Sequence, residues 1–390
     1  MSPVNKMESL KTKKVAWLVT TMGYGDSLMY WENILQQYFK MFPRLRIFSS
    51  EQKKTNIDIK LPFEYSVDLL KISLGRGVSG FNKQIILAKP GLILKLYKHQ
   101  PDLIVISEFG ILSIYGIFFS IFSKRTKVLL LVENYPYKGL ALGKYSIRRY
   151  IRKVICYFSN VILTNNMRSK EYLTKTIGVN EDKVIAEPYL VTVIDRNVLH
   201  DIELKKPNKI IFLYVGRMLQ SKGLYKLVDA VCALTELERK NVSFWMVGDG
   251  EDRSIIETLI DSKGVSESFV FFGNQPYEKL SNFYNNADVF ILPTFRDYRA
   301  LVGFEAISFK LPLLHSIYDG AISEVLEEGK NGYSFDPYDV DDFSNKIKRF
   351  IDNKDQLQRF SDYSYYLSKE YTLDKAVDNL VTASSQALSS

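Results

Sequence analysis

One feature of this sequence constrains its fold more than any other: short apolar segments alternate with longer amphipathic ones along most of the chain. The apolar segments are rich in β-branched and aromatic residues, which is typical of strands in parallel βαβ units. In the first half, strands are predicted at 14–20, 102–107, 127–132 and 160–164. The alternation restarts with a strand at 209–215, so the sequence predicts two α/β domains with parallel sheets.

The remaining predicted elements set the domain boundaries. Further strands are predicted at 242–247, 269–272, 289–292 and 312–315, and helices at 28–41, 224–237, 253–263, 277–285, 339–353 and 356–371, with another helix opening at Glu305. The polar, proline-containing segment 193–209 predicts a linker, and 390 residues are too many for one compact core. We expect an N-terminal domain over 1–195, a C-terminal domain over 196–370, and a helical tail over 371–390 that packs back on the N-terminal domain.

Charge is divided unevenly between the two halves. Residues 1–200 contain 30 Lys and Arg against 15 Asp and Glu, whereas residues 201–390 contain 22 against 29. A basic half indicates an anionic partner, and nucleic acid and lipid headgroups both qualify. Because no zinc-finger spacing, RNP signature or helix-turn-helix pattern accompanies the charge, we expect an anionic membrane surface and no nucleic acid.

Other segments bear on location and cofactors. The apolar stretch 109–122 has about 14 residues, short of the roughly 20 in a spanning helix, so a buried core helix is favoured over membrane insertion. Cys156 and Cys232 form no CxxC pair and the three histidines are scattered, so no metal site or cofactor is expected. The N-terminus lacks the apolar segment of a signal peptide. These observations predict a cytoplasmic protein, peripheral on the inner face of the membrane.

Two cations follow the first strand of the second half at a strand-to-helix turn. Arg217 follows Gly216 at the strand end, and Lys222 precedes Gly223 at the start of the next helix. Backbone amides, the helix dipole and two side-chain charges converge at such a turn, which suits a diphosphate. Two solvated surface residues are the alternative interpretation.

Later strand ends carry further candidates. Gly248 and Asp249 follow a predicted strand, where glycine lets a ligand approach the backbone, although a plain turn is the alternative. Asp297 lies in a loop and Glu305 at the predicted start of a helix, with seven residues between them. Both carboxylates are predicted to face the mouth of the sheet, where they could bind sugar hydroxyls. A helix cap is the alternative for Glu305.

Together these motifs resemble the donor domain of family-four retaining glycosyltransferases, which have the GT-B fold. The resemblance rests on VGRM with SKG, on VGDGE, on DVFILPT with the following D-x7-E, and on ISEVLEEGKNGYSFDP. It covers about residues 209–350 by sequence and the N-terminal half by architecture alone. It implies an α/β protein of two Rossmann-like domains, with parallel sheets facing a central cleft.

The resemblance also implies roles for single residues. Arg217 and Lys222 match the pair that binds the diphosphate. Glu305 matches the ribose ligand, and Asp297 stands where the family usually has a sugar-binding Glu, so the shorter side chain leaves the sugar identity open. Further implied donor contacts are Gly216, Gly248, Asp249, Asn274 and Gly303.

In the N-terminal domain the resemblance concerns where residues stand relative to the predicted strands. Many relatives carry a His after a middle strand, near the reacting sugar, and Glu133 occupies that place here. It is implied to contact the donor sugar or the acceptor, with a turn residue as the alternative. The glycine loop that includes Gly25 corresponds to the loop that usually lies under the donor phosphates.

The implied function is metal-independent transfer of a hexose-type sugar, with retention, from a nucleotide-diphosphate donor to a glycan or lipid-linked acceptor. A UDP-sugar is the favoured donor, and bacterial surface polysaccharide (lipopolysaccharide, capsule or exopolysaccharide) is the expected product. Arg217 and Lys222 would stabilise the leaving diphosphate. A nucleotide-sugar epimerase on a GT-B-like fold and a non-catalytic nucleotide-sugar-binding protein are the alternatives.

One segment predicts how the basic domain meets a membrane. Residues 145–158 place Arg148, Arg149, Arg152 and Lys153 mostly on one side of a helix, with apolar residues opposite. At roughly 1 kcal/mol for each cation near an anionic leaflet, four would give reversible attachment. An ordinary surface helix that packs its apolar side on the sheet is the alternative.

Overall fold

The computed structural model describes residues 8–19, 27–49, 63–64, 69–76, 82–88, 91–133, 147–192, 194 and 208–390. The chain divides into two compact units. Unit 1 consists of Met1–Val191 with Leu373–Ser390, and unit 2 of Thr192–Thr372. Most of the predicted linker lies outside the described residues.

The strands and helices alternate as the apolar pattern predicts. The strands are β1 (Lys14–Val19), β2 (Arg44–Ser49), β3 (Phe63–Glu64), β4 (Leu69–Arg76), β5 (Asn82–Ala88), β6 (Leu103–Ser107), β7 (Lys127–Val132), β8 (Val161–Thr164), β9 (Val184–Ala186), β10 (Ile210–Val215), β11 (Val242–Val247), β12 (Phe269–Gly273), β13 (Val289–Leu292), β14 (Leu313–Ser316) and β15 (Gly332–Phe335).

After a helical turn at 8–11, the helices are α1 (Ser27–Met41), α2 (Gly91–His99), α3 (Ile111–Phe122), α4 (Ile147–Phe158), α5 (Met167–Glu171), α6 (Leu224–Cys232), α7 (Glu236–Lys240), α8 (Arg253–Ser262), α9 (Leu280–Asn286), α10 (Leu301–Ser308), α11 (Ile322–Val325), α12 (Val340–Asp352), α13 (Gln356–Ser368) and α14 (Leu373–Ser389). No helix in the described part of the chain has both the length and the apolarity that crossing a bilayer requires.

Both sheets are parallel and share one topology. Unit 1 has the strand order β3-β2-β1-β6-β7-β8-β9, with β4 and β5 as a separate antiparallel hairpin, and unit 2 has the order β12-β11-β10-β13-β14-β15. In each sheet the order reverses beside the first strand, between β1 and β6 and between β10 and β13. Ligands of open α/β sheets bind at the carboxyl ends of the strands at such a switch point. A ligand of unit 2 is therefore expected at the loops after β10 and β13.

Helices cover both faces of the unit 1 sheet, which explains why its strands are almost entirely apolar. On one face, α1 and α14 pack together: Trp17 of β1 meets the ring of Tyr38 edge-on at 5.3 Å, and the hydroxyls of Tyr38 and Ser384 are 2.8 Å apart. On the other face, α2, α3 and α4 pack over Leu18 and the alternate residues of the neighbouring strands. Cys156 is a free cysteine that is buried in this second layer.

The predicted strands are confirmed to within one residue at each end, whereas four helix predictions are wrong in part, among them the helix predicted to open at Glu305, which begins at Leu301. The helix predicted at 224–237 is two helices, because Thr235 and Glu238 form a capping box that starts α7. The one predicted at 277–285 opens with a 3₁₀ turn, and the one predicted at 356–371 ends at Ser368. Short strands β2, β3, β9 and β15 and the β4–β5 hairpin were not predicted.

Candidate active site

The turn between β10 and α6 carries the two predicted phosphate-binding cations. Arg217 is exposed, and Lys222 ends a 3₁₀ turn that leads directly into α6. Gly223 has a φ of +70°, and a Cβ there would lie 1.9 Å from the carbonyl oxygen of Pro293. Only glycine therefore lets this turn approach the end of β13 so closely.

A salt bridge joins the two strand ends at the switch point. The Lys222 ammonium donates to Oδ2 of Asp297, and both side chains are about one fifth exposed. The backbone supports the same approach, since Phe295 N–H donates to the carbonyl of Ser221 at 2.9 Å. The structure thus brings a predicted diphosphate ligand and a predicted sugar ligand into direct contact.

The next loop along the sheet holds Asp297 in place. Its N–H donates to the carbonyl of Tyr318 at 3.2 Å, and its carbonyl accepts from the N–H of Gly320 at 3.1 Å. The carboxylate of Asp319 accepts from Ala300 N–H at 3.0 Å. These bonds hold the loop before α10 by its main chain and leave the Asp297 carboxylate to Lys222.

Two buried ionisable pairs lie behind this loop. The guanidinium of Arg299 donates to Glu324 at 2.9 and 3.0 Å and stacks 4.0 Å from the ring centroid of Phe304. His315 Nε2 lies 2.7 Å from Asp319 Oδ2, with both side chains fully buried. Burial alone raises the pKa of Asp319, but the hydrogen bond and charge of His315, with the backbone amides of Ala300 and Ala321, outweigh it and hold that pKa below its usual value.

Glu305 lies beneath a pair of tyrosines. It is 2% exposed, and its two carboxylate oxygens accept from the hydroxyls of Tyr277 at 3.2 Å and Tyr284 at 2.6 Å. Burial raises the pKa of Glu305 to about 7, and the two tyrosine hydrogen bonds oppose this shift only partly. Glu305 can therefore exchange a proton near neutral pH.

The structure corrects the predicted setting of Glu305. Helix α10 begins at Leu301, so Glu305 is its fifth residue and does not cap its N-terminus. The carboxylate is also buried, whereas that of Asp297 is partly exposed. Gly303 lies inside the same helix, its N–H donates to the carbonyl of Ala300, and a Cβ there would lie 3.2 Å from His315. Gly303 therefore allows α10 to pack closely against His315, and its N–H is already hydrogen-bonded to Ala300.

The remaining predicted donor contacts lie at neighbouring strand ends. Gly248 has a φ of +126°, and a Cβ there would lie 2.0 Å from the carbonyl oxygen of Gly216, so the β10 and β11 ends touch through glycines. Asp249 is exposed, and its carboxylate lies 3.3 Å from the guanidinium of Arg253. Asn274 is exposed just after β12. All three lie at the carboxyl edge of the sheet, which is where the predicted nucleotide would lie.

In unit 1 the predicted residue Glu133 follows β7, and its N–H donates to Oε1 of Glu108 at 2.5 Å. Glu108 follows β6 and adopts a φ of +59°, an unusual conformation for a non-glycine residue. Two acidic residues therefore lie at the carboxyl edge of this sheet, beside its switch point. Gly25 lies outside the described residues.

Of the four cations predicted to lie mostly on one side of α4, two bind groups of the protein itself. Arg149 donates to a backbone carbonyl of the π-helical turn Tyr172–Ile177, and Arg152 donates to a tyrosine hydroxyl and stacks 5.0 Å from the ring centroid of Phe109. Arg148 and Lys153 are exposed. Since half of the cations bind the protein's own groups, α4 is a weaker electrostatic surface than the sequence predicts.

The paired parallel sheets and the charged switch point of the second unit define the GT-B class. The fold is similar to that of Anabaena HepE in complex with UDP, with a TM-score of 0.72 and 16% identity, covering 95% of this chain and 98% of that one. Residues 195–366 match the family described as Glycosyl transferases group 1.

Two curated relatives have informative names. Sulfoquinovosyl transferase SQD2 of Arabidopsis thaliana is 23% identical over 279 residues, which cover 68% of this chain and 53% of that protein. Lipopolysaccharide 1,2-N-acetylglucosaminetransferase of Salmonella typhimurium is 30% identical over 157 residues, which cover 38% and 41%. The chain spans about half the length of the curated relatives it matches.

Sequence reasoning missed the residues that support the site. The tyrosine partners of Glu305 are 21 and 28 positions away, and no local pattern marks them. His315 gave a signal, since a histidine inside the apolar strand PLLHS needs a buried partner. Within the described residues, no three His, Cys, Asp or Glu side chains converge as a metal ion would require.

Proposed function

We propose that this protein is a retaining glycosyltransferase that moves a hexose-type sugar from a UDP-sugar to a glycan or lipid-linked acceptor in bacterial surface polysaccharide synthesis. The observation that carries the proposal is the salt bridge between Lys222 and Asp297 at the switch point of unit 2, with Arg217 exposed on the same turn as Lys222. UDP in the similar HepE structure supports the choice of nucleotide, and the lipopolysaccharide enzyme supports the choice of product.

The Lys222–Asp297 salt bridge prepares the site for a diphosphate. A diphosphate carries more charge than one carboxylate, so it replaces Asp297 as the partner of Lys222. Arg217, on the same turn, adds a second cation, and the first amides of α6 add oriented dipoles. Asp297 is then released to accept hydrogen bonds from hydroxyls of the donor sugar.

The chemistry needs charge stabilisation more than a protein nucleophile. The bond between the anomeric carbon and the β-phosphate oxygen breaks, and the sugar becomes oxocarbenium-like while the diphosphate gains negative charge. Arg217 and Lys222 stabilise that charge as it develops. The departing phosphate oxygen takes the proton of the acceptor hydroxyl, whose oxygen bonds the anomeric carbon on the same face, so configuration is retained.

Glu305 is proposed to bind the ribose hydroxyls. An ionised carboxylate only accepts hydrogen bonds, so ribose hydroxyls bind the ionised form in preference to the protonated one. Because the pKa of Glu305 is raised to about 7, donor binding near neutral pH releases a proton from this group. In unit 1, Glu133 and its neighbour Glu108 are proposed to meet the acceptor or the reacting sugar. A lipid-linked acceptor is proposed to be met at the inner face of an anionic membrane.

A panel of nucleotide sugars tests the proposal. Donors that bind the native protein raise its melting temperature by mass action, and those donors are then incubated with acceptors and analysed by mass spectrometry and NMR. Transfer with the donor's anomeric configuration supports the proposal, and an inverted product contradicts retention. Epimerised donor without transfer indicates an epimerase, and stabilisation without turnover of any donor indicates a binding protein.

A further inference from the structure

The outer face of α3 is apolar where a helix on a sheet normally presents polar groups to water. The helix ILSIYGIFFSIF contains no charged residue. It buries Leu112, Ile117 and Phe119 against the sheet. Its outward side chains are nevertheless large and apolar, and they are 40–75% exposed: Ile114, Phe118, Ile121 and Phe122.

The neighbouring helix extends this surface into a groove. On α2, Leu94 and Tyr97 are 65% and 67% exposed. Between α2 and α3 lies a depression of about 740 Å³, and we call it the apolar groove, lined mainly by Ile93, Leu94, Tyr97, Phe118, Phe119 and Phe122. The rings of Phe118 and Phe122 contact each other at its outer edge, with centroids 4.9 Å apart.

Arg125 lines the groove, and further cations lie at the ends of the two helices that form it, with no acidic residue on those helices. Lys98 and Lys124 are exposed, and the side chain of Arg125 is 70% exposed. Neither 91–99 nor 111–128 contains an Asp or Glu. Of the two acids nearest in sequence, Asp102 is buried beneath Arg125, and Glu108 follows β6 at the carboxyl edge of the sheet. An apolar surface with a basic rim complements an anionic bilayer, whose headgroups are negative and whose interior is hydrocarbon.

We infer that the apolar groove inserts into an anionic phospholipid leaflet, with Phe118 and Phe122 among the acyl chains and the basic rim at the headgroups. The inference rests on the proposed function, because it gives the lipid-linked acceptor a surface at which unit 1 meets it. It also moves the membrane contact from α4, two of whose cations are engaged within the protein, to α2 and α3.

Depth-dependent quenching tests insertion directly. In a Phe122→Trp variant, fluorescence should shift to the blue and be quenched by vesicles of anionic lipids with brominated acyl chains. Leu237→Trp is the matched control, since Leu237 is 74% exposed on α7 of unit 2 and should remain unquenched. The native Trp17 and Trp245 are buried and Trp31 is half-buried, so the wild-type protein is measured alongside to give the background of these three residues. Equal quenching of both variants, or none of either, would overturn the inference.

Co-sedimentation measures the contribution of the groove to affinity. The double variant F118S/F122S should bind anionic vesicles about tenfold or more weakly, because two aromatic side chains no longer leave water. L237S should bind as the wild type does. The double variant R148S/K153S on α4 should lose at most a small part of the affinity. Wild-type binding by F118S/F122S, or a larger loss in R148S/K153S, would overturn the assignment to the groove.

Two further measurements distinguish membrane insertion from self-association and from a loss of donor binding. If the groove instead joins two copies of this chain, light scattering will show a dimer that F118S/F122S dissociates, and the inference is overturned. Donor-induced thermal stabilisation needs no membrane, so F118S/F122S should keep it in full. Insertion without transferase activity contradicts the proposed function alone, whereas transfer without insertion contradicts the groove alone.

Discussion

Helices α12 and α3 each cover a parallel sheet, but they differ in the side chains that they expose to water. In unit 2, α12 buries Phe343, Ile347 and Phe350 and exposes charged residues such as Asp341 and Arg349. In unit 1, α3 also covers a parallel sheet, yet its exposed side is as apolar as its buried one. Packing on a sheet constrains only the inner face of a helix. The composition of the outer face is therefore evidence about what each unit meets in solution.

The two units also place their charges differently. Unit 2 concentrates paired and buried charges at the ends of its strands, around Asp297 and behind it. Unit 1 carries the excess of cations, and those beside the apolar groove are exposed. We therefore propose that unit 2 is organised around a small anionic ligand, and unit 1 around an extended anionic surface. If so, the catalytic properties of unit 2 and the membrane affinity of unit 1 can be altered independently.

The largest expected effect is on the buried pair of unit 2. Arg299→Ala leaves Glu324 buried without its partner and should destabilise the protein by about 3–5 kcal/mol. The matched variant in unit 1 is Lys175→Ala, whose salt bridge with Glu171 is exposed on both sides and should contribute only about 0–1 kcal/mol. Urea denaturation followed by fluorescence measures both, and equal losses would remove this contrast between the units.

Loss of the strand-end cations should abolish most of the turnover and leave the affinity for anionic vesicles unchanged. Arg217→Ala and Lys222→Ala should each lower kcat by about 100-fold, the scale for removing a preorganised charge stabiliser. Lys263→Ala, an exposed cation elsewhere in unit 2, serves as the control. Steady-state kinetics with the best donor gives the comparison, and near-wild-type rates in both site variants would end the diphosphate assignment.

Glu305 should make the stability of the protein depend on pH. Its folded pKa of about 7 lies above its ordinary value of 4.5, so the folded state holds the proton longer as pH rises. Stability from this group therefore falls as pH rises from its ordinary pKa through its folded pKa, by about 2 kcal/mol from pH 5 to pH 7, and becomes level about one pH unit above the folded pKa. Glu305→Gln should remove that slope. Melting curves of both proteins across this range give the difference, and identical slopes would contradict the shifted pKa.

The smallest expected effect is the change in protein stability when exposed apolar residues are replaced. Phe122→Ser and Leu237→Ser should each change the free energy of unfolding by no more than about 0.5 kcal/mol, since both side chains are about three quarters exposed. A loss of several kcal/mol in Phe122→Ser alone would show that α3 needs its outer face for folding. The same denaturation assay used for Arg299 provides this measurement.

Sequence alone was sufficient for much of the fold, because strands buried on both faces appear as continuous apolar runs such as KVLLLV and VSFWMV. It failed where a short strand pairs at a sheet edge, as β9 and β15 do. It placed Arg217, Lys222 and Asp297 at strand ends, since these positions follow directly from the strands.

What sequence could not supply were contacts between distant elements. The start of α10 was misplaced because its N-cap, Ala300, forms no side-chain cap, and Asp319 of a later loop binds its N–H instead. The burial of Glu305 depends on Tyr277 and Tyr284 from another helical segment. The apolar stretch 109–122 was assigned to a buried core, which holds for its inner face only.

The position of α14 has a consequence for the order of folding during synthesis. This helix buries Leu380 and Ala383 in unit 1 and joins residues that are 346 positions apart, Tyr38 and Ser384. Unit 2 ends at Thr372, so a ribosome completes all of unit 2 before it delivers α14. The usual order, in which N-terminal domains fold first, is thereby reversed for the final step. Unit 1 waits for its last helix with part of one face of its sheet uncovered, and in that interval it is the half of the nascent chain that most needs protection from aggregation.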